Sequence, residues 1–586
     1  MYNKYCNEFF RIFKEVIFLK NSKLVWLLSL LLVVALFLAA CGGDEEGKDT
    51  TTDTDDKDAT TEETEVVADE EQVLNLIQTA EIPTMDSALV TDSVGFDLLN
   101  NVNEGLYRLS QENVAVPAIS DGEPKVSEDG LIYTFTLRDS NWSDGTPVTA
   151  NDFEFAWKRA MNPDTASEYG PYMMSGVIKN ATAISNGEAE YTELGVKAVD
   201  EKTLEVTLEK PIPYFLSLMS FGTFLPQNEE FVTTQGANYA KNSEALLYNG
   251  PFTLAKWDGT GLSWQLLKNE EYWDKETVKL TQINYDVVKE TATRVNLYTN
   301  GEKDRTTLDG EYAMQFAADP DLLLEGEATT FYFKYNQERN GEKTALANVN
   351  IREAISKAFN KEDLANVVLA NGSAPAYSFV PSDFAFDEDG NDFRDVNGDM
   401  AVFNTDEAQA AWQKGLDELG VTELSLEILG GDTDLSKKMD EYFKSQLETN
   451  LPGLTITLSE VPFNVRLDRD TNQDYDIQVA GWGPDYQDPF TFLSLWETDG
   501  GNNQMSYSNP EYDQLLQDIN GSLATDPAAR WEAMAKAEKL IVEQDYAVGP
   551  IYQRGLMILQ KPYVKGIATH PFGGDYSYKW AYVEGK

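Results

Sequence analysis

The sequence predicts a mixed α/β protein of two or three lobes, exported and held at a membrane. Three observations predict it. Short alternating strands and helically spaced segments follow one another along the chain, with no short internal repeat. Of the 586 residues, all but the first 40 remain after cleavage before Cys41. That is too many for one hydrophobic core, since cores stop growing near roughly 250–300 residues. The third observation is an apolar run that ends in a cysteine.

That run, Leu24 to Ala40, is 17 residues long and carries no charge. Lys20 and Lys23 precede it, Leu38-Ala39-Ala40-Cys41 closes it, and Gly42, Gly43 and Asp44 follow. A cationic flank, an apolar stretch and small residues before the cut make a secretory signal. Cys41 is the side chain that diacylglycerol transfer would modify. Acyl chains would then hold the protein to the outer membrane face, burying CH₂ groups at roughly 0.8 kcal/mol each. The alternative is a plain transmembrane helix, for which 17 residues is the short limit. Met1 to Phe18 reads poorly as signal, and Leu19 is expected to be the alternative start. Residues 1–40 are therefore expected to be signal peptide. Residues 41–70 are expected to be lipidated cysteine and linker. Gly42 to Val67 holds eleven acids, seven Thr and two Lys. It has almost nothing apolar to bury, so it is expected to be disordered and extended by its like charges.

The globule begins near Glu71 with Val73-Leu74-Asn75-Leu76-Ile77. Tyr133 to Leu137 and Leu204 to Leu208 alternate with period two and predict half-buried strands. Asn151-Asp152 ahead of Phe153-Glu154-Phe155-Ala156-Trp157 predicts an N-capped helix. Arg352 to Phe359 and Asp406 to Leu419 carry helical spacing. Asp383 to Asp399 is an acidic loop. Asp387, Asp389 and Asp392 alternate somewhat like a calcium loop, but the terminal bidentate Glu is missing, so a solvated loop is expected.

Composition excludes much. Only Cys6 and Cys41 exist, and Cys6 would leave with the signal, so no internal disulfide can form. The formal net charge of −53 argues against nucleic acid as a partner. His570 is the single histidine, which removes most general-base and metal chemistry. No nucleophile elbow, phosphate loop or dinucleotide glycine fingerprint appears. No cofactor, metal or catalytic residue is expected. A glycosidase built on paired carboxylates stays as an enzyme alternative, but among 99 acids chance pairs are common and carry no signal without geometry.

What the chain does carry is aromatic side chains in Gly/Pro turns. The densest is Gly481-Trp482-Gly483-Pro484-Asp485-Tyr486-Gln487-Asp488-Pro489, following the strand-like run Tyr475 to Ala480. Such a loop can hold a ligand cation on its acid while backbone groups pair with an extended chain. A structural turn with a capping Asp reads equally well.

At this segment the chain resembles the oligopeptide-binding proteins of ABC importers, the peptide/nickel class of solute-binding proteins. Asn103-Glu104-Gly105-Leu106-Tyr107, the run Trp142-Ser143-Asp144-Gly145-Thr146-Pro147-Val148-Thr149-Ala150-Asn151-Asp152-Phe153, then Leu194 to Asp200, Asn249 to Phe252 and Asn348 to Ala354 follow in the family's order. The resemblance implies a two-lobed periplasmic-binding-protein-like clamp (type II, cluster C) with an extra subdomain in lobe one. It places lobe one at 71–103, 226–330 and 551–586, the extra subdomain at 104–225, and lobe two at 331–550. The chain would cross the hinge twice, which suits a closing clamp.

The resemblance also implies site roles. Asp485 matches the acid that pairs with the peptide α-ammonium. Gly481, Trp482 and Gly483 match the strand that pairs with the peptide backbone, with Tyr486 beside them. Phe463 and Tyr169 match pocket walls, and Thr91 and Ser93 lie in the segment touching the first peptide residues. Val479 stands where some members carry a carboxylate-binding arginine, so weaker C-terminal capture is expected. The implied protein is a monomeric, lipid-anchored receptor on the extracellular face of the cell membrane, as in Gram-positive-type lipoproteins. It would bind oligopeptides and deliver them to ABC permease transmembrane subunits. A signalling-peptide sensor, or a relative binding nickel chelate, haem or oligosaccharide, remains the alternative.

Overall fold

The computed structural model describes residues 71–212 and 214–586. The expected signal peptide, Cys41 and the acidic linker lie outside the described residues. Among the described residues no helix is long and apolar enough to cross a membrane.

Three sheets organise the chain. The first orders its strands as Val73–Gln78, Gln282–Val287, Ser263–Lys268 and Phe252–Ala255. Val73–Gln78 alternates, turning Leu74 and Leu76 into the core. It pairs in parallel with Gln282–Val287, from Val73 opposite Gln282 to Gln78 opposite Val287. The helix Ser93–Val102 follows it, capped by the Asp92 carboxylate, which accepts from Gly95 N at 2.9 Å.

The second sheet orders Lys125–Val126, Ile132–Thr136, Thr203–Thr207 and Val196–Asp200. It carries the helix Ala150–Met161. This helix starts one residue earlier than Asn151, and Thr149 is its N-cap. The reason is Asp152, which reaches back to accept from Thr149 N (2.8 Å), Thr149 Oγ1 (3.2 Å) and Trp142 Nε1 (3.3 Å). The spacing from Trp142 to Asp152 in the sequence motif is thus one buried hydrogen-bonded corner. The first two sheets share one continuous core.

The third sheet has seven strands. Six lie in the order Arg305–Leu308, Val548–Gln560, Leu322–Tyr335, Ile477–Trp482, Leu424–Gly431 and Leu454–Val461, and Ala374–Pro375 pairs with Val548–Gln560 off that path. Pleating sends neighbours to opposite faces. Tyr332 packs edge-on against Phe379 and Trp496 on one face, and Phe333 against Phe359 and Phe443 on the other. The long strands 322–335 and 548–560 pair antiparallel along most of their length, with register shifts between Gly326 and Thr330 and between Phe331 and Tyr332. The expected lobe divisions at 330/331 and 550/551 fall inside these two strands. In the acidic loop, Asp387 is taken up by local donors, the N–H groups of Asp389 (3.0 Å) and Asn391 (2.8 Å).

Candidate functional site

A cavity of about 680 Å³ opens between the first and third sheets. Its wall is built by the end of strand 477–482 and by a fork in the third sheet. Strand 477–482 is hydrogen-bonded along its whole length to 330–335 on one side. On the other side it meets strand 424–431 only at Ile477 and Gln478, opposite Ile428 and Leu429. Beyond that point the two strands part. The edge of 479–482 therefore faces the cavity without a partner strand, and Gly430 and Gly431 line the opposite bank. Gly481 is fixed by its neighbour across the ladder, since a Cβ there would stand 2.9 Å from the Phe331 ring.

The open edge ends at Asp485. Its backbone N–H donates to Thr491 Oγ1 at 3.0 Å. The residue is 5% exposed, and among the described residues its carboxylate accepts only from hydroxyls: Tyr172 at 3.1 Å, Thr491 at 3.4 Å and Tyr169 at 3.5 Å. No cation pairs with it among the described residues. Burial pushes its pKa up to about 7, and the three hydroxyl hydrogen bonds hold it from rising further. Tyr169 and Tyr172 come from the short helix Tyr169–Met174, so the acid of one segment is bonded by hydroxyls of another more than 300 residues earlier. Tyr169 lies near-parallel to Trp482 with centroids 6.4 Å apart, and Tyr172 meets Trp482 edge-on at 6.3 Å.

Thr91, Ser93, Tyr169, Phe463, Gly481, Trp482, Gly483 and Asp485 all line the cavity. Tyr486 does not: its ring turns away and stacks on Tyr214 at 5.2 Å, within the core of the first two sheets. With Asp485 turned to the cavity, the adjacent residue faces the opposite way. His570 lines the cavity too, with Nδ1 at 2.7 Å from Asn113 Oδ1. Burial and the nearby Arg108 push its pKa down to about 4, so it is neutral.

A family profile described as bacterial extracellular solute-binding proteins, family 5 middle region, matches residues 114–504. The chain belongs to this family. A dipeptide-binding protein of Lactococcus lactis subsp. cremoris is 33% identical over 531 residues, covering 88% of this chain and 95% of that protein. The structure of Listeria monocytogenes OppA bound to peptide superposes with a TM-score of 0.85 at 47% identity, covering 88% of this chain and 99% of that one. The pheromone receptor PrgZ, solved for its mode of peptide binding, gives 0.83 at 38% identity, with 88% and 100% covered. The fold is the family's two-lobed α/β clamp, with the cavity where the clamp closes.

Several residues at the wall or just behind it escaped the sequence reading. Tyr172 lies one helical turn after Tyr169, and that i, i+3 pair was the available signal. Asp92 is buried as a helix cap, its pKa up to about 6 through burial. Arg466 sits on the helix Phe463–Thr471, over the Phe463 ring at 5.1 Å, and donates to the Val479 carbonyl at 3.3 Å. A guanidinium thus reaches Val479 from the neighbouring helix. Asp440, on the helix Asp434–Asn450, lies against Gly430 at the base of the fork, where a Cβ on Gly430 would meet its carboxylate at 1.9 Å. Burial, then the charge of Glu460, raises its pKa to about 8, with Arg466 opposing. The other wall cations are paired: Lys334 to Asp470 at 2.8 Å and Arg554 to Glu327.

Proposed function

We propose that the protein is an extracellular receptor that encloses an oligopeptide between its lobes and hands it to an ABC permease. The peptide adds a strand along the open edge 479–483 and places its α-ammonium on Asp485. Trp482, Phe463, Tyr169, Thr91 and Ser93 contact its first residues. Backbone pairing is indifferent to side chains, so many sequences are accepted. The lobes follow the divisions given above, hinged at the long strands 322–335 and 548–560. The mature chain is a monomer tethered through acyl groups on Cys41, and it catalyses no reaction. One observation carries this reading: an unpaired strand edge ends at a buried carboxylate that has hydroxyl partners but no cation. Both halves of an extended peptide's N-terminus have a place waiting.

The test compares free-amine and N-acetylated forms of one short peptide by calorimetry, in the wild type and in Asp485→Ala. The free-amine peptide should bind the wild type and lose on the order of 2–5 kcal/mol in the variant, as expected when one partner of an enclosed charge pair is removed. The acetylated form should bind poorly to both. Equal affinity of the two forms for the wild type would defeat the reading. A signalling role on the same scaffold is favoured by the likeness to a pheromone receptor. Growth on peptide as sole nitrogen source after gene deletion separates the two, since a sensor's loss would leave it intact.

A further inference from the structure

The base of the fork holds a second buried carboxyl, separate from Asp485. Asp440 is 1% exposed and lines the cavity, yet among the described residues neither of its carboxylate oxygens has a hydrogen-bond partner. A buried carboxyl with both oxygens unbonded is costly unless something supplies donors. Asp92 lines the same cavity from the first lobe. It is 5% exposed, and its Oδ2 is likewise unpartnered while Oδ1 serves as the helix cap. Arg466 stands near both without meeting either within ion-pair distance among the described residues. Its guanidinium is directed to the Val479 carbonyl. It reaches the Gln478 amide oxygen at 2.9 Å when that amide turns its nitrogen to Asp470 at 2.8 Å. Carboxylates outnumber cations on the cavity wall, and Lys334 and Arg554 are already paired.

We propose that this fork is a subsite for a cationic side chain of the bound peptide, with Asp440 as its direct partner and Asp92 reinforcing it across the cleft. The proposal rests on the peptide reading above. A strand added along 479–483 with its ammonium at Asp485 advances about 3.3 Å per residue. It therefore passes the fork within its first few residues. Gly430, lacking a Cβ, lets the Asp440 carboxyl lie against the bank opposite the open edge, so a long side chain reaching between the two strands meets it there. The receptor would then select lysine- or arginine-bearing peptides at one position while remaining permissive elsewhere.

The experiment uses free-amine alanine pentapeptides carrying one lysine at the second, third, fourth or fifth position, each matched with norleucine at the same place. Both sets are titrated near neutral pH into the wild type, Asp440→Asn and Arg466→Gln, and thermal melts establish that each variant is folded. At one position lysine should bind about tenfold tighter than norleucine in the wild type, the scale of a desolvated charge pair. The ratio should fall to near one in Asp440→Asn and rise in Arg466→Gln, which removes the competing cation. A ratio near one at every position, with all peptides bound, overturns the subsite and leaves the peptide reading standing. A lysine preference that survives Asp440→Asn overturns the assignment to Asp440. Absence of binding by every peptide overturns both readings.

Discussion

The Asp485 carboxyl can grip an ammonium only when it is ionised, and burial holds its pKa up to about 7. The sign follows directly. Below that pKa the free protein carries a neutral acid, and a proton must leave before the peptide can be held. Peptide affinity should therefore rise with pH up to about 7, with a loss approaching tenfold for each unit below it. It should fall again above roughly 8, where the peptide's own amine loses its proton. Asp92 and Asp575 also line the cavity with raised pKa values. The decisive quantity is thus the difference between wild type and Asp485→Asn, followed by calorimetry from acid to neutral pH. A wild-type profile parallel to that of the variant would remove Asp485 from the binding step. Two glycines and two prolines draw attention to Asp485 in the sequence, though a structural turn fits them equally well and only the resemblance gives it a role. Asp440 was not legible, because it is one of 99 acids and nothing local marks it. Its meaning comes from Gly430, which lies ten positions earlier and touches it only in three dimensions.

Elements were legible where their pattern is local. Val73–Gln78, Ile132–Thr136 and Thr203–Thr207 announce themselves by alternation, and the helix at Ala150–Met161 by its cap and apolar spacing. Their partners were not, since Val73–Gln78 finds Gln282–Val287 some two hundred residues later. The fork was equally hidden. Both of its strands read as ordinary strands, and only their divergence after two paired positions leaves the open edge proposed for the peptide. The motif from Trp142 to Phe153 has a structural role that can be tested. Asp152 caps its helix and accepts from the indole of Trp142, which is 1% exposed. Asp152→Ala removes the cap, costing ~0.5–2 kcal/mol, and orphans a buried donor, costing ~1–3 kcal/mol. Urea unfolding should show a net loss of about 2–4 kcal/mol at unchanged slope. A loss below half a kcal/mol would mean that the corner does not hold the second sheet.

At the scale of the whole molecule, a chain with formal net charge −53 surrounds a cavity whose wall is itself acidic. Two effects on cationic peptides then separate by range. The summed field of the surface acts during approach and is screened over a Debye length of about 8 Å at physiological ionic strength. The proposed subsite at Asp440 would act only on a peptide already in the cavity, where the carboxyl is buried. The first should appear in the association rate and the second in the dissociation rate. Trp482 lines the cavity and gives a fluorescence signal for stopped-flow mixing. Association of a lysine-bearing peptide should slow several-fold as ionic strength rises from low to physiological, while its norleucine counterpart changes little. The ratio of their dissociation rates should stay nearly constant over the same range, because a desolvated pair is poorly screened. If the dissociation ratio collapses with salt along with the association rate, the preference belongs to the outer surface, and the fork has no direct hold on the side chain. If neither rate distinguishes the two peptides at low salt, the acidic surface serves solubility alone.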